Sequence, residues 1–234
     1  MTIGYYYYSY FKSMPQLTIS KQTYKVTVGN IERVFKTATK ERIAETRKWY
    51  SDAQKFTETL SSKFNHELSS KKIAGVIAAL SPRNEWNRNK FDAETLCKEF
   101  LSNKYYQLNL FGYHTLLNSK VCTFNTNKSK AIKILLSDDS KIESILKGNK
   151  LINFFRCIIG DDKAICIDGH AFNIASNRVS SLADVPTISD KHYKVIAKVY
   201  RDATKFINKK YNLNLIPNKL QSTTWEEYKR LHNK

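Results

Sequence analysis

From Glu32 to Leu68 the apolar residues Phe35, Ala38, Trp49, Ala53, Phe56, Leu60, Phe64 and Leu68 recur at three- and four-residue spacing over much of the stretch, a helical period that predicts two helices. Ile73 to Leu80 is apolar on every face and stops at Ser81-Pro82, the pattern of a buried helix ended by proline. Phe91 to Leu101 reads as the next helix. Asn103 to Asn127 has no clear period and reads as loop with a short helix, after which Lys128 to Leu136 is helical again. Ser140 and Glu143 have capping-box spacing, so a short helix should start there and end near Gly148. Asn149 to Ile159 is its partner, closed by Gly160-Asp161-Asp162. Asp168 caps a helix running through Arg178, behind the apolar run Ala164 to Ile167. Ser189 to Tyr211 sets Tyr193, Ala197, Tyr200, Ala203 and Ile207 on one face, and a basic helix surrounds Trp225. Residues 1–28 read as an arm with a short strand at Tyr24 to Val28.

Composition agrees with a helical chain. Only 7 Gly and 4 Pro occur in 234 residues, too few for an architecture of many tight turns. The 41% hydrophobic content excludes disorder over most of the length, and a chain of this size buries a full core without disulfides. Cys97, Cys122, Cys157 and Cys166 form no C-x-x-C pair and no zinc-like spacing with His, so they read as reduced, mostly buried thiols, and no metal site is expected.

The net charge of +18 calls for a polyanionic partner. Nucleic acid leads, ahead of an anionic membrane surface. No apolar run approaches the length of a spanning helix, and the aromatic run Tyr5 to Tyr8 is unlike a signal peptide. The expectation is an intracellular, cytoplasmic monomer that works on DNA.

Two stretches carry the chemistry. Leu146-Lys147-Gly148-Asn149-Lys150 opens one helix, and Ile165-Cys166-Ile167-Asp168-Gly169-His170-Ala171 opens the next. Helix, Gly-containing turn, Lys, helix, and then an Asp at a helix start resembles the helix-hairpin-helix DNA glycosylases, the endonuclease III superfamily. Gly148, Lys150, Asp168 and His170 fall on that family's pattern, and Asn177-Arg178 matches a frequent Asn-Arg beyond it. Upstream, Ala79-Leu80-Ser81-Pro82-Arg83-Asn84 is similar to the segment where a buried helix ends against DNA, and Ser129-Lys130-Ala131 to a helix start. The likeness spans about residues 70 to 180 and extends to a phage-type branch with Ser-Pro-Arg-Asn-x-Trp and Ile-Asp-x-His-Ala.

The resemblance implies an all-α, two-lobed glycosylase-like fold: the arm at 1–28, helices of the terminal lobe at 29–67, a helical lobe with a degenerate hairpin at 68–155, and a return to the terminal lobe at 156–234, with an active-site cleft between lobes. It implies a DNA glycosylase acting on an extruded modified or damaged base in double-stranded DNA. Asp168 would stabilise oxocarbenium character at C1′. Lys150, partly desolvated, would attack C1′ and form a Schiff base, adding AP lyase activity. Arg83, Asn84, Lys130, Lys147, Gly148 and Asn149 would face DNA, with Arg83 and Asn84 filling the vacated space.

Plainer roles stand beside these. Asp168 is an N-cap, Lys150 and the Lys-rich stretches are solvated charges, Gly148 is a C-cap, Arg83 satisfies carbonyls at a helix end, and His170 and Trp86 pack. The hairpin keeps one glycine of the family's Leu-Pro-Gly-x-Gly, which weakens the case for its phosphate and monovalent-cation contact, and Asn173 stands where many relatives carry Arg. No four-cysteine cluster follows, so the iron-sulfur cofactor is absent. Two other functions fit the same scaffold: a DNA base-modification enzyme that keeps the base attached, and a non-catalytic DNA-binding protein.

Overall fold

The computed structural model describes residues 15–102 and 110–233. The aromatic run at Tyr5 to Tyr8, with Tyr10 and Phe11, lies outside the described residues, as do residues 103–109 of the expected loop. The described chain is mostly helical with one two-stranded sheet. Its contacts divide it into two compact units: a split unit of Met1–Tyr50 with Asp162–Lys234, and a continuous unit of Ser51–Asp161.

The split unit opens with a hairpin where the sequence suggests an arm with one short strand at Tyr24 to Val28. Strands β1 (Gln16–Ile19) and β2 (Gln22–Lys25) pair antiparallel, with Gln16 opposite Lys25 and Ile19 opposite Gln22. The two-residue turn places Ser20 and Lys21 at positive φ, 49° and 68°, the backbone of a turn whose twist matches the strands. Leu17, Ile19 and Tyr24 point into the core.

Helix α1 (Val28–Phe35) follows, capped by Thr27, and α2 (Lys40–Thr46) is capped by Thr39. Helix α3 (Trp49–Lys63) comes next, so three helices stand where the periodicity predicts two. Thr39 explains the first break, since its hydroxyl accepts from Arg42 N, three residues into a new helix.

The later half of this unit contributes α10 (Gly169–Ser176), α11 (Asp190–Tyr211) and α12 (Pro217–Leu231). Helix α10 is short and buried from His170 to Ala175, packed by β2, α1, α11 and α12. Tyr193, Ala197, Tyr200, Ala203 and Ile207 form the buried face of α11. Between α2 and α12 the fully buried Glu227 carboxylate accepts from Arg42 Nε and Arg230 Nε, both at 2.9 Å.

The continuous unit is built around α4 (Ser70–Leu80), buried from Ile73 onward. Helices α5 (Trp86–Ser102), α7 (Asn125–Leu136), α8 (Ile142–Leu146) and α9 (Asn149–Ile158) pack on it, while α6 (Leu110–Leu117) packs on α7. Gly75 permits this crowding: a Cβ there would lie 2.8 Å from Ile142 Cγ2.

The unit begins at Ser51, whereas the sequence places its start at 68. Residues 51–67 belong here because Phe56 lies under the Lys90 ammonium, Ser61 Oγ donates to Leu68 O, and Lys63 pairs with Glu94. The expected capping box is not formed. Asp139–Lys141 is a turn of 3-10 helix, and the Glu143 carboxylate is engaged by Arg156 at 2.8 and 2.6 Å instead of reaching back to the backbone.

Candidate functional site

In the split unit, the extended, buried segment Ile165-Cys166-Ile167 delivers the chain to Asp168. An extended segment flanked by helices must find partners for its peptide groups. Tyr193, on α11, supplies two: its hydroxyl donates to Ile165 O at 2.7 Å and accepts from Ile167 N at 3.0 Å. Asp168 then caps α10, its Oδ1 accepting from Ala171 N at 2.8 Å. Among the described residues no donor engages Oδ2, and the residue is half-buried.

Behind Asp168 lies Tyr200, fully buried, with its hydroxyl 3.3 Å from Ala171 O. Burial pushes its phenol well above the usual range, and the Asp168 charge pushes the same way. His170 is buried against the rings of Tyr228 and Trp225, at centroid distances of 5.7 and 6.1 Å, in the packing role expected of it. Gly169 lies close under Leu182: a Cβ would meet Leu182 Cδ2 at 2.7 Å, a contact the exposed leucine tip can relieve by moving. Asn173 is fully buried and bonds Ser180 through both ends of its amide, at 3.1 and 2.9 Å.

In the continuous unit, α8 and α9 form a helical hairpin. Its turn is strained: Lys147 has φ 53° and ψ 142°, and Gly148 has φ 82°. Only the second of these is glycine, so the backbone cost falls on Lys147. Asn149 and Lys150 start α9, and Lys150 is exposed. The desolvation that the lyase chemistry calls for is therefore not supplied by burial. Lys130 reaches this hairpin from α7, its Nζ 3.3 Å from Leu146 O, a cation on an orphan carbonyl at the end of α8. Lys130, expected as a DNA contact, thus also caps the end of α8.

Arg83 and Asn84 follow α4 in one turn but do different things. Arg83 is exposed, with φ 58°, its guanidinium 5.8 Å from the centre of the exposed Phe124 ring. Asn84, expected beside it as a filler of the vacated space, donates to Asp92 Oδ2 at 3.0 Å and so supports the turn. Asp92 is fully buried and also accepts from Arg88 Nε at 2.8 Å and Cys122 N at 3.0 Å. This carboxylate hub, like Tyr193, is missed by sequence reasoning. Its one signal is the i, i+4 spacing from Arg88.

Among the described residues no group of His, Cys, Asp or Glu is placed to hold a metal ion, and no helix is long and apolar enough to cross a membrane.

The chain belongs to a family of unknown function, DUF7178, whose family model matches residues 13–230. No curated protein and no solved structure matches it.

Proposed function

We propose that the protein is a DNA glycosylase that releases a modified or damaged base extruded from double-stranded DNA. The observation that carries the reading is Asp168: a half-exposed carboxylate at a helix start, with one oxygen held by Ala171 N and the preceding peptides pinned by Tyr193. Supporting it are the hairpin turn at Lys147-Gly148, the exposed Lys150 at the head of α9, and a charge of +18 suited to a polyanion. In this reading the glycosidic C1′–N bond breaks with its electron pair leaving on the base. Asp168 stabilises the positive charge at C1′ and takes a proton from the nucleophile that adds there.

Two nucleophiles fit. Attack by Lys150 Nζ gives a Schiff base and then strand cleavage, whereas attack by water gives base release alone. The exposure of Lys150 favours water. Borohydride trapping on base-modified duplexes separates them: a covalent adduct lost in Lys150→Ala establishes the lyase, and base release without an adduct establishes hydrolysis. Neither adduct nor free base from any duplex, with the strand intact and a nucleotide altered, would move the assignment to base modification. Binding that survives Asp168→Asn with no chemistry at all would leave a DNA-binding protein.

A further inference from the structure

Beside Asp168 the split unit carries a loop whose anchoring and surface are at odds with a passive connection. Residues 177–184 are tied down at several points. Asn177 ends α10 in the left-handed region and accepts from the Arg33 guanidinium of α1. Arg178 N donates to Asn173 O at 2.8 Å, and Arg178 O accepts from Tyr228 Oη at 2.9 Å. Ser180 is gripped by the buried Asn173 amide. A loop held by buried partners is able to present side chains in fixed positions.

Among the side chains it presents outward are two large apolar ones, Val179 at 66% exposed and Leu182 at 56% exposed, beside the polar Asn177, Ser181 and Asp184, the last accepting from Ser181 Oγ at 2.8 Å. Leu182 is also the side chain that crowds Gly169, the residue after Asp168. At the base of the loop stand two cations, exposed Arg33 and half-buried Arg178, whose guanidinium lies 5.2 Å from the centre of the Tyr24 ring. Exposed apolar side chains, two guanidiniums and a nearby carboxylate match the parts of one nucleic-acid strand: bases and sugars that offer apolar faces, phosphates that need cations, and a C1′ that gains positive charge. Leucines inserted at base steps are an established way of gripping a distorted duplex.

We infer that the 177–184 loop, with Arg33, grips the DNA strand: Arg33 and Arg178 take backbone phosphates, and Leu182 lies against the sugar and base of the nucleotide that Asp168 serves. This rests on the proposed glycosylase function and adds the strand contact that seats the nucleotide.

The test uses the full-length protein and a short duplex carrying a tetrahydrofuran abasic analogue. With p-benzoylphenylalanine in place of Leu182, irradiation is expected to cross-link protein to DNA far more efficiently than with the same residue in place of exposed Lys205. Leu182→Ser, a surface change that leaves the fold intact, is expected to weaken duplex binding about tenfold, the loss of burying one leucine. Arg33→Gln and Arg178→Gln should each lower the salt dependence of binding by about one phosphate contact. Wild-type binding with no preference for cross-linking at 182, and unchanged affinity in Leu182→Ser, overturns the loop assignment while leaving the DNA reading in place. Absence of wild-type binding to any duplex overturns both.

Discussion

The Tyr193 hydroxyl bonds Ile165 O at 2.7 Å and, two residues on, Ile167 N at 3.0 Å, so one side chain of α11 sets the path of the backbone into Asp168. Tyr193→Phe strips both groups of their partner inside the core. The expected cost is about 1–3 kcal/mol of stability, read from a lowered denaturant midpoint. On the proposed glycosylase function, loosening of Asp168 should appear as a fall in single-turnover base release with little change in DNA affinity. An activity equal to wild type at saturating enzyme would show that the bridge serves stability alone.

Asp168 has two jobs that substitution separates. Asn caps a helix about as well as Asp, so Asp168→Asn should stay within about 0.5 kcal/mol of wild-type stability, whereas Asp168→Ala should lose about 1 kcal/mol. Base release should drop at least about 100-fold in both, because the charge is gone from each. If Asn supports activity and Ala does not, the cap is the functional element and the carboxylate is not.

Lys147 carries a conformation suited to glycine, with φ 53° and ψ 142°. Lys147→Gly removes strain of about 1–3 kcal/mol and adds back about 0.5–1 kcal/mol of chain entropy, for a net gain of about 1 kcal/mol. Duplex binding should lose about one unit of salt slope in the same variant if this ammonium meets a phosphate. Stability and affinity would then move in opposite directions, as expected where a strained turn is retained for a ligand. A variant less stable than wild type would remove the strain argument.

The thiols differ sharply in environment. Burial pushes Cys97 up from 9.0 to about 12, with the Glu94 charge adding to the rise. A folded value above the unfolded one favours the folded state fully below about pH 9, and that contribution is lost as the pH climbs toward about 12. Stability should therefore decline through this alkaline window, and less steeply in Cys97→Ala. Burial of Tyr200 acts in the same direction. At neutral pH, iodoacetamide should label exposed Cys122 and spare Cys97, Cys157 and Cys166 until the protein unfolds, which mass spectrometry of the peptides decides.

Where a residue's role is set by its neighbours in sequence, the chain is legible. Ser189 and Asp168 announce their helices because capping is a local hydrogen bond, and Ile73 to Leu80 announces burial because no face of that helix is polar. The hairpin escapes because Ser20 and Lys21 take up positive φ without Asn or Gly to signal it. The Ser140–Glu143 motif misleads because a cation distant in sequence, Arg156, competes for the carboxylate. At the candidate site, Asp168, Gly148 and Lys150 stand out in the sequence only through the resemblance to the glycosylases. Tyr193 does not, since it reads as one more aromatic on the buried face of a helix, and Asp92 reads as an ordinary surface acid. Partners that meet only after folding leave no periodic trace.

The division of the chain also sets an order of events during synthesis. Ser51–Asp161 is unbroken, so its helices can close around α4 as soon as that stretch has left the ribosome. Leu17, Val26 and Ile31 share their core with Tyr200, Ile207 and Leu220, which are translated well after them. The hairpin and α1 are thus born without a lid, and their apolar faces are what a nascent-chain chaperone would meet first.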